Sequence, residues 1–270
     1  MGRGIAELAA CTGFETILFD LNPEVLADAR AAILHQLDKK VQKGKMGIEE
    51  QEAAVSRLFF TTDSQECSAE LIIEAIVENM EAKANLFNLV TPVNGSNTIF
   101  ASNTSSLSIS ELAGYIQYPE RVAGLHFFNP PVLMKLVEIV QGSNTSDHTI
   151  SELRELCVQL GKTAVVCNDS PGFIVNHVAR TYYLEALYLV ENGLADISTV
   201  DRLMEQTGFK MGPFSLMDLI GNDINYAVSC SVYEALGKPE RLTPSSLQKE
   251  KVESGALGKK TGKGYYNYPL

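Results

Sequence analysis

Short runs of apolar residues recur along the first 167 positions, and segments with helical patterns separate them. The runs are rich in β-branched and aromatic residues, which is typical of strands. We predict strands at 15–20, 59–63, 71–77, 98–103, 121–128, 136–140 and 163–167. The run at 71–77 is almost continuously apolar, and such runs are typical of strands buried on both faces.

Helix-start signals follow several of these runs. The segment 22–24 supplies a cap, a first-turn proline and an early acid, and apolar residues at four-residue steps continue towards Lys45. Residues 79–93 and 146–160 also have helical patterns, and Ser108 with Glu111 forms a capping-box start. Strands that alternate with helices predict an α/β fold whose parallel sheet carries helices on its faces.

The pattern changes after Cys167, and only helical periodicity follows Pro171. We predict helices at 172–192 and at about 197–207, 213–220, 222–236 and 244–254. The turn-forming residues 168–172 separate the two patterns. We therefore predict an α/β domain over 1–168 and an all-α domain over 169–270.

Composition and charge narrow the class of protein. The 270 residues are 45 % hydrophobic and 20 % charged, as in ordinary globular proteins, and the net charge of −11 argues against a nucleic-acid partner. The five cysteines lie far apart, so we predict neither disulfides nor a metal site. No apolar run nears the ~20 residues of a membrane helix, and no leader resembles a signal peptide. We expect a cytoplasmic protein without membrane contact.

The first twenty residues resemble part of a dinucleotide-binding unit. A helix that begins at Gly2 is followed by an apolar strand that ends at Asp20. In doubly wound sheets, a glycine-rich turn precedes the first helix, and an acid about 20 residues later binds the ribose. Gly2 would then be the last glycine of the turn. Alternatively, Asp20 is simply a helix cap or a turn residue.

One histidine is placed where ligands bind in open α/β sheets. His126 ends an apolar run, whereas His35 and His148 lie in polar surroundings. Glu138 lies within the apolar run LVEIV, and a buried acid needs a partner. Neighbouring strands would set Glu138 against His126, where a carboxylate can fix the imidazole tautomer. The alternatives are a structural histidine at a strand end and a glutamate on an exposed edge strand.

Several longer stretches carry a resemblance to one family. They are MGRGIAELAA, VENMEAK (77–83), SNTSSLSISELA (102–113), GLHFFNPPVLMKLVEIV (124–140), DSPGFIVN (169–176), GPFSLMDLIG (212–221) and GKKTGKGYYNY (258–268). With them the chain resembles the L-3-hydroxyacyl-CoA dehydrogenase family over nearly its whole length, and most closely its short-chain, 3-hydroxybutyryl-CoA type. The resemblance implies a Rossmann-like doubly wound sheet followed by an all-helical domain through which the family forms dimers.

The resemblance also implies a reaction and a set of site residues. The reaction is the reversible, NAD-dependent oxidation of (S)-3-hydroxyacyl-CoA to 3-oxoacyl-CoA, a step of β-oxidation. His126 would act as general base with Glu138 as its partner, and Ser105 and Asn176 would bind the substrate. The cofactor residues that it implies are Gly2, Asp20, Glu78, Lys83, Asn103, Asn129 and Lys260. His177 stands where the family more often has arginine.

A lysine cluster is the candidate contact for coenzyme A. Lys39, Lys40, Lys43 and Lys45 lie within seven positions. Such clusters are often only solvated helix ends that gain from the helix dipole. In the family this helix end meets the phosphates of the substrate, and we expect Lys43 to make that contact.

The family's chains begin with a strand and a complete glycine turn, and we expect both to be missing before Met1. The strands on either side would then keep unpaired backbone groups. Two alternatives to an active dehydrogenase follow: an impaired family member with a non-enzymatic role, and a fragment of a longer multifunctional enzyme.

This expectation can be tested with an extended variant. A chain that carries an apolar strand and a glycine turn before Met1 should melt at a higher temperature and bind NAD more tightly. The added strand would supply the missing backbone partners and most of the pyrophosphate contacts. Equal melting temperatures and equal NAD affinities would contradict the expectation.

Overall fold

The computed structural model describes residues 1–269 and divides into two compact units. The first unit covers Met1–Asp169, and the second begins at Ser170. None of the helices among the described residues is long and apolar enough to cross a membrane.

The first unit contains all seven strands that the apolar runs predict. They are β1 (Thr16–Phe19), β2 (Leu58–Thr61), β3 (Leu71–Glu74), β4 (Ile99–Ser102), β5 (Val122–Phe127), β6 (Leu136–Gln141) and β7 (Thr163–Asn168). Five form one sheet in the order β3-β4-β5-β6-β7, and β1 pairs with β2 in a second sheet. The fold is therefore α/β and Rossmann-like.

The sheet differs from the expected parallel arrangement at one place. β5 and β6 are antiparallel, whereas all other strand pairs of the described residues are parallel. Only residues 128–135 join these two strands, and a parallel crossover needs a dozen or more residues, usually with a helix. The short connection therefore turns the chain back on itself.

Six helices belong to the first unit. They are α1 (Gly2–Cys11), α2 (Pro23–Gln42), α3 (Ile48–Ser56), α4 (Met80–Val90), α5 (Ile109–Ala113) and α6 (Asp147–Gln159). The Asn22 side chain caps α2 and the Ser108 side chain caps α5, as the sequence predicts. Helix α3 is absent from the predicted elements, and α2 ends at Gln42, short of the predicted extension towards Lys45.

A wide cavity separates the two sheets. Its volume is about 1770 Å³, and Ile17 and Phe19 of β1 line it together with Leu71 and Ile73 of β3. These strands are only partly buried, whereas every residue of β4 and β5 is buried. Helix α1 contributes to the apolar clusters of both sheets and thus connects them.

The second unit is all-α, as expected. Its helices are α7 (Val175–Glu191), α8 (Ile197–Gln206), α9 (Pro213–Ile220), α10 (Asn222–Ala235) and α11 (Ser246–Glu253). Their apolar faces meet in a core that includes Leu187, Phe214 and Met217, each of which is fully buried.

A buried carboxylate, Asp218 of α9, fixes the chain after α11. It is 1 % exposed and accepts hydrogen bonds from Asn222 Nδ2 at 2.9 Å and Tyr268 Oη at 3.0 Å. The backbone N–H groups of Tyr265 and Tyr266 donate to it at 2.9 Å each. Burial raises the pKa of the Tyr268 phenol, and its hydrogen bond to the Asp218 carboxylate raises this pKa further.

We expect Asp218→Ala to lower the free energy of unfolding by about 3 kcal/mol or more, because buried donors that lose their acceptor cost about 1–3 kcal/mol each. Urea unfolding followed by circular dichroism measures the loss. Glu253→Ala is the control, since Glu253 is an exposed partner of Lys249. Equal urea midpoints for the two variants would contradict the role of Asp218.

Candidate active site

His126 and Glu138 face each other across two strands. The antiparallel register pairs them directly, and His126 Nδ1 lies 2.8 Å from Glu138 Oε2. The histidine is 7 % exposed and the glutamate 1 %. The predicted contact is therefore present, and the burial of Glu138 contradicts the interpretation that places it on an exposed edge strand. The catalytic role of His126 stays a prediction. A carboxylate at this distance favours the imidazole tautomer with hydrogen on Nδ1.

A glycine allows these two strands to lie close together beside the pair. Gly124 of β5 is opposite Val140 of β6. A Cβ atom at residue 124 would lie 2.7 Å from Val140 Cβ and 3.2 Å from Ile109 Cδ1. The close contact of β5 with β6 and α5 at this point therefore requires glycine.

Asn103 and Asn129 lie at the same end of the sheet as His126. Asn103 follows β4, and its Oδ1 accepts a hydrogen bond of 2.9 Å from the backbone N–H of Phe127. Asn129 follows β5, and its peptide bond to Pro130 is cis. Both asparagines therefore lie at the carboxyl ends of parallel neighbours, where open sheets bind ligands.

Ser105 lies in the loop after β4, to which the Glu78 carboxylate is hydrogen-bonded. Glu78 Oε1 accepts hydrogen bonds from Thr104 Oγ1 at 2.6 Å and from the backbone N–H of Ser105 at 2.9 Å. Burial opposes ionisation of Glu78, but the hydrogen bond from Thr104 and the charge of Lys83 together hold its pKa below its usual range. The carboxylate therefore stays ionised near neutral pH and keeps accepting these bonds.

Lys83 is placed differently from a surface lysine. It is 1 % exposed, and its Nζ lies 2.7 Å from Glu74 Oε1 and 3.2 Å from Glu78 Oε2. Lys83 and Glu78 are among the predicted site residues, whereas Glu74 is not. A usable signal was present, because Glu74 is an acid within the apolar run 71–77, as Glu138 is within its own strand.

The start of α1 and the end of β1 face one cavity. Met1, Gly2 and Asp20 all line the space between the sheets. The N-terminal end of α1 at Gly2 lies on this cavity, and the N-terminal end of a helix favours an anionic phosphate. Asp20 accepts a hydrogen bond of 2.9 Å from the backbone N–H of Asn22, as a turn residue does. A carboxylate and a helix N-terminus on one cavity are groups that can bind the ribose and the phosphate of a dinucleotide. The assignment of Gly2 and Asp20 to the cofactor stays a prediction.

The four lysines of the candidate coenzyme A contact have different surroundings. Lys40 Nζ lies 2.8 Å from Glu7 Oε1 of α1, so this lysine is committed to a contact within the protein. Lys39, Lys43 and Lys45 are exposed, and among residues 1–269 none of the three forms an ion pair. Lys43 caps the end of α2.

Two predicted site residues belong to the second unit. Asn176 lies in the first turn of α7, after Gly172 and Phe173 with φ of 76° and 50°. Its carbonyl oxygen accepts a hydrogen bond of 3.1 Å from Arg180 Nε. Lys260 Nζ pairs with Asp223 at 2.6 Å. The approach of Asn176 and Lys260 to ligands of the first unit stays a prediction.

Comparison with known proteins identifies the family. The sequence profile of the 3-hydroxyacyl-CoA dehydrogenase NAD binding domain matches residues 1–170, and that of the C-terminal domain matches residues 172–268. The chain is 45 % identical over 270 residues to a 3-hydroxyadipyl-CoA dehydrogenase of Escherichia coli, covering 99 % of the chain but 57 % of that relative. It is 38 % identical to a probable 3-hydroxybutyryl-CoA dehydrogenase of Bacillus subtilis. That alignment covers 99 % of this chain and 94 % of the relative.

A solved structure shares the architecture. The (S)-3-hydroxybutyryl-CoA dehydrogenase PaaH1 from Ralstonia eutropha is 34 % identical, with a TM-score of 0.95, and the match covers all of this chain and 96 % of that one. With both domain profiles matched in order, the chain belongs to the 3-hydroxyacyl-CoA dehydrogenase family and is an NAD-dependent oxidoreductase.

Proposed function

We propose that this chain catalyses the reversible oxidation of (S)-3-hydroxyacyl-CoA to 3-oxoacyl-CoA. The observation that carries the proposal is the contact of 2.8 Å between His126 and Glu138 at the end of β5. Such a pair supplies a proton acceptor at the edge of the sheet where open α/β folds bind ligands. Dehydrogenases of 3-hydroxybutyryl-CoA among the relatives support the same chemistry.

In this mechanism His126 removes the proton from the substrate hydroxyl. Glu138 accepts the hydrogen on Nδ1, which leaves Nε2 as the basic nitrogen. As Nε2 takes the proton, the ring becomes cationic, and the buried carboxylate stabilises that charge. In the reverse direction the same ring donates its proton to the carbonyl oxygen as the alcohol forms.

The NAD that the family binds would accept the hydride from the substrate carbon. We assign its adenosine half to Asp20 and to the start of α1 at Gly2. The other residues of the cofactor site are Glu78, Lys83, Asn103, Asn129 and Lys260. Their support is the family pattern together with the position of Asp20, Glu78, Asn103 and Asn129 after the carboxyl ends of β1, β3, β4 and β5. Lys83 lies on α4, with its Nζ 3.2 Å from Glu78 Oε2.

For the substrate we propose Ser105, Asn176 and Lys43 as ligands. A hydroxyl and an amide can donate hydrogen bonds to the substrate oxygens, and an exposed lysine can bind a phosphate of coenzyme A. We further propose a short acyl chain such as that of 3-hydroxybutyryl-CoA. The names of the B. subtilis and R. eutropha relatives support this choice.

We also propose a homodimer that forms through the second unit. Large apolar side chains of this unit are exposed, among them Val178 at 64 %, Leu194 at 66 % and Leu203 at 62 %. Exposed apolar groups of this size are typical of surfaces that a partner covers.

The first test removes the proposed base. His126→Gln should retain at most a few per cent of the activity in the reduction of acetoacetyl-CoA by NADH. Glu138→Gln should lower the rate by about 10²- to 10⁴-fold, since the ring loses its orientation and its charge partner. His148→Gln is the control, because His148 is exposed and pairs only with Glu152 among the described residues. Activity of the His126 variant close to that of the control would overturn the mechanism.

The second test concerns the lysines after α2. The double variant Lys43→Ala, Lys45→Ala should raise the KM for the acyl-CoA substrate by about tenfold, since a charge-assisted contact is worth about 1.5–3 kcal/mol. The KM for NADH should stay constant. Lys249→Ala, at another exposed lysine, provides the comparison. An acyl-CoA KM equal to that of the wild type would refute the assignment.

A further inference from the structure

Arg180 is a buried cation without an acidic partner. It lies in α7 and is 2 % exposed. No carboxylate of residues 1–269 forms an ion pair with it. Burial lowers the pKa of its guanidinium to about 10, so the group is still charged at neutral pH. A buried charge without a counter-charge is strongly unfavourable, and a bound anion would relieve that cost.

Neutral oxygen atoms hold one part of the guanidinium. Its Nη1 donates to the backbone oxygen of Asn225 at 2.9 Å and to Ser229 Oγ at 2.8 Å, both on α10. These two residues are buried as well, and both are hydrogen-bonded to Gln248 of α11. The contacts fix the plane of the guanidinium but bring no negative charge to it.

The Nη2 end of the guanidinium is available to a ligand. Nη2 donates no hydrogen bond to any described residue. The fully enclosed polar side-chain atoms that lack a partner in the described part of the chain belong to Glu7, Arg121, Asn222 and Tyr265. Nη2 is not one of them and therefore keeps an accessible surface. Two N–H donors of a fixed cation are thus free to bind an anion.

This cation lies close to a proposed substrate ligand. Asn176 is one helical turn before Arg180, about 6 Å along the helix axis. Arg180 Nε donates to the backbone oxygen of Asn176 at 3.1 Å, which places the guanidinium beside that turn. A guanidinium binds carboxylates well, because its planar set of donors matches their geometry. In a 3-hydroxyacyl group, the place for a carboxylate is the end of the chain beyond the hydroxyl carbon.

We infer that Arg180 binds a carboxylate at the end of the acyl chain, so that the preferred substrates are 3-hydroxyacyl-CoA thioesters of short dicarboxylic acids. The inference rests on the proposed function, because that proposal places Asn176 at the substrate. A 3-hydroxybutyryl chain fits the same site, but its methyl end leaves Arg180 without a counter-ion. Arg180 is therefore a residue that determines specificity.

Two substrates of equal chain length test the inference. The acyl groups of 3-oxoadipyl-CoA and 3-oxohexanoyl-CoA have the same number of carbons, and only the first ends in a carboxylate. In the reduction by NADH, the kcat/KM of the wild type should be about tenfold or more higher for 3-oxoadipyl-CoA, since hydrogen bonds between charged groups are strong. Arg180→Met should abolish this preference, and Arg180→Lys, which keeps a positive charge, should retain part of it.

The ratio of the two kcat/KM values separates specificity from damage to the fold. A variant that is merely less stable loses activity towards both substrates together and keeps the ratio of the wild type. Arg241→Met, at an exposed arginine of the same unit, is the control and should also keep that ratio. A ratio near one for the wild type, or an unchanged ratio for Arg180→Met and Arg180→Lys, would overturn the inference.

Binding without turnover distinguishes this inference from the proposed reaction. Adipyl-CoA and hexanoyl-CoA lack the oxo group, so neither is reduced. Titration calorimetry should show that the wild type binds adipyl-CoA about tenfold more tightly than hexanoyl-CoA, and that Arg180→Met binds both equally. Equal affinities for the wild type, together with reduction of 3-oxohexanoyl-CoA, would refute the role of Arg180 and leave the proposed function intact. Tighter binding of adipyl-CoA without turnover of either oxo substrate would support Arg180 and contradict the proposed reaction.

Discussion

A carboxylate buried among aliphatic side chains needs a partner, and the contact of Glu138 with His126 satisfies this need. An isolated charge in such a place costs several kcal/mol, so the imidazole at 2.8 Å is part of what makes the acid tolerable in β6. The antiparallel turn between β5 and β6 brings the two residues opposite each other. One irregularity in an otherwise parallel arrangement thus places the proposed base, and the remaining candidate residues of the first unit are arranged around it.

The same physical rule governs a second acid nearby. Glu74 is as deeply buried as Glu138, but its partner is a lysine, with further donors from Ser102 and the backbone. The sheet therefore carries two enclosed carboxylates with different partners. The one beside the imidazole belongs to the proposed proton-transfer pair, and the one beside the ammonium accepts hydrogen bonds from Lys83 and Ser102.

Much of the fold could be predicted from the sequence, because each strand has its own apolar run and the second unit has clear helical periodicity. Helix α3 was missed because only Ala54 of it is buried, so its apolar pattern is weak. The antiparallel pair was missed because strand patterns carry no direction. Glu138 was recognised as an acid in an apolar run, and the same argument applied to Glu74 would have found it. The ion pair of Lys40 with Glu7 depends on the packing of α1 against α2, and the sequence pattern of either helix alone does not reveal this packing.

Gly124 limits how freely this chain can vary over evolutionary time. Gly124 lies two residues before His126. Every single-base change that replaces this glycine by another residue adds at least a Cβ atom, which would collide with Val140. The position carries no reactive group, yet substitution there would push apart the two strands that bear the proposed base and its partner. Natural variants of this enzyme should therefore diverge at surface positions long before they diverge here.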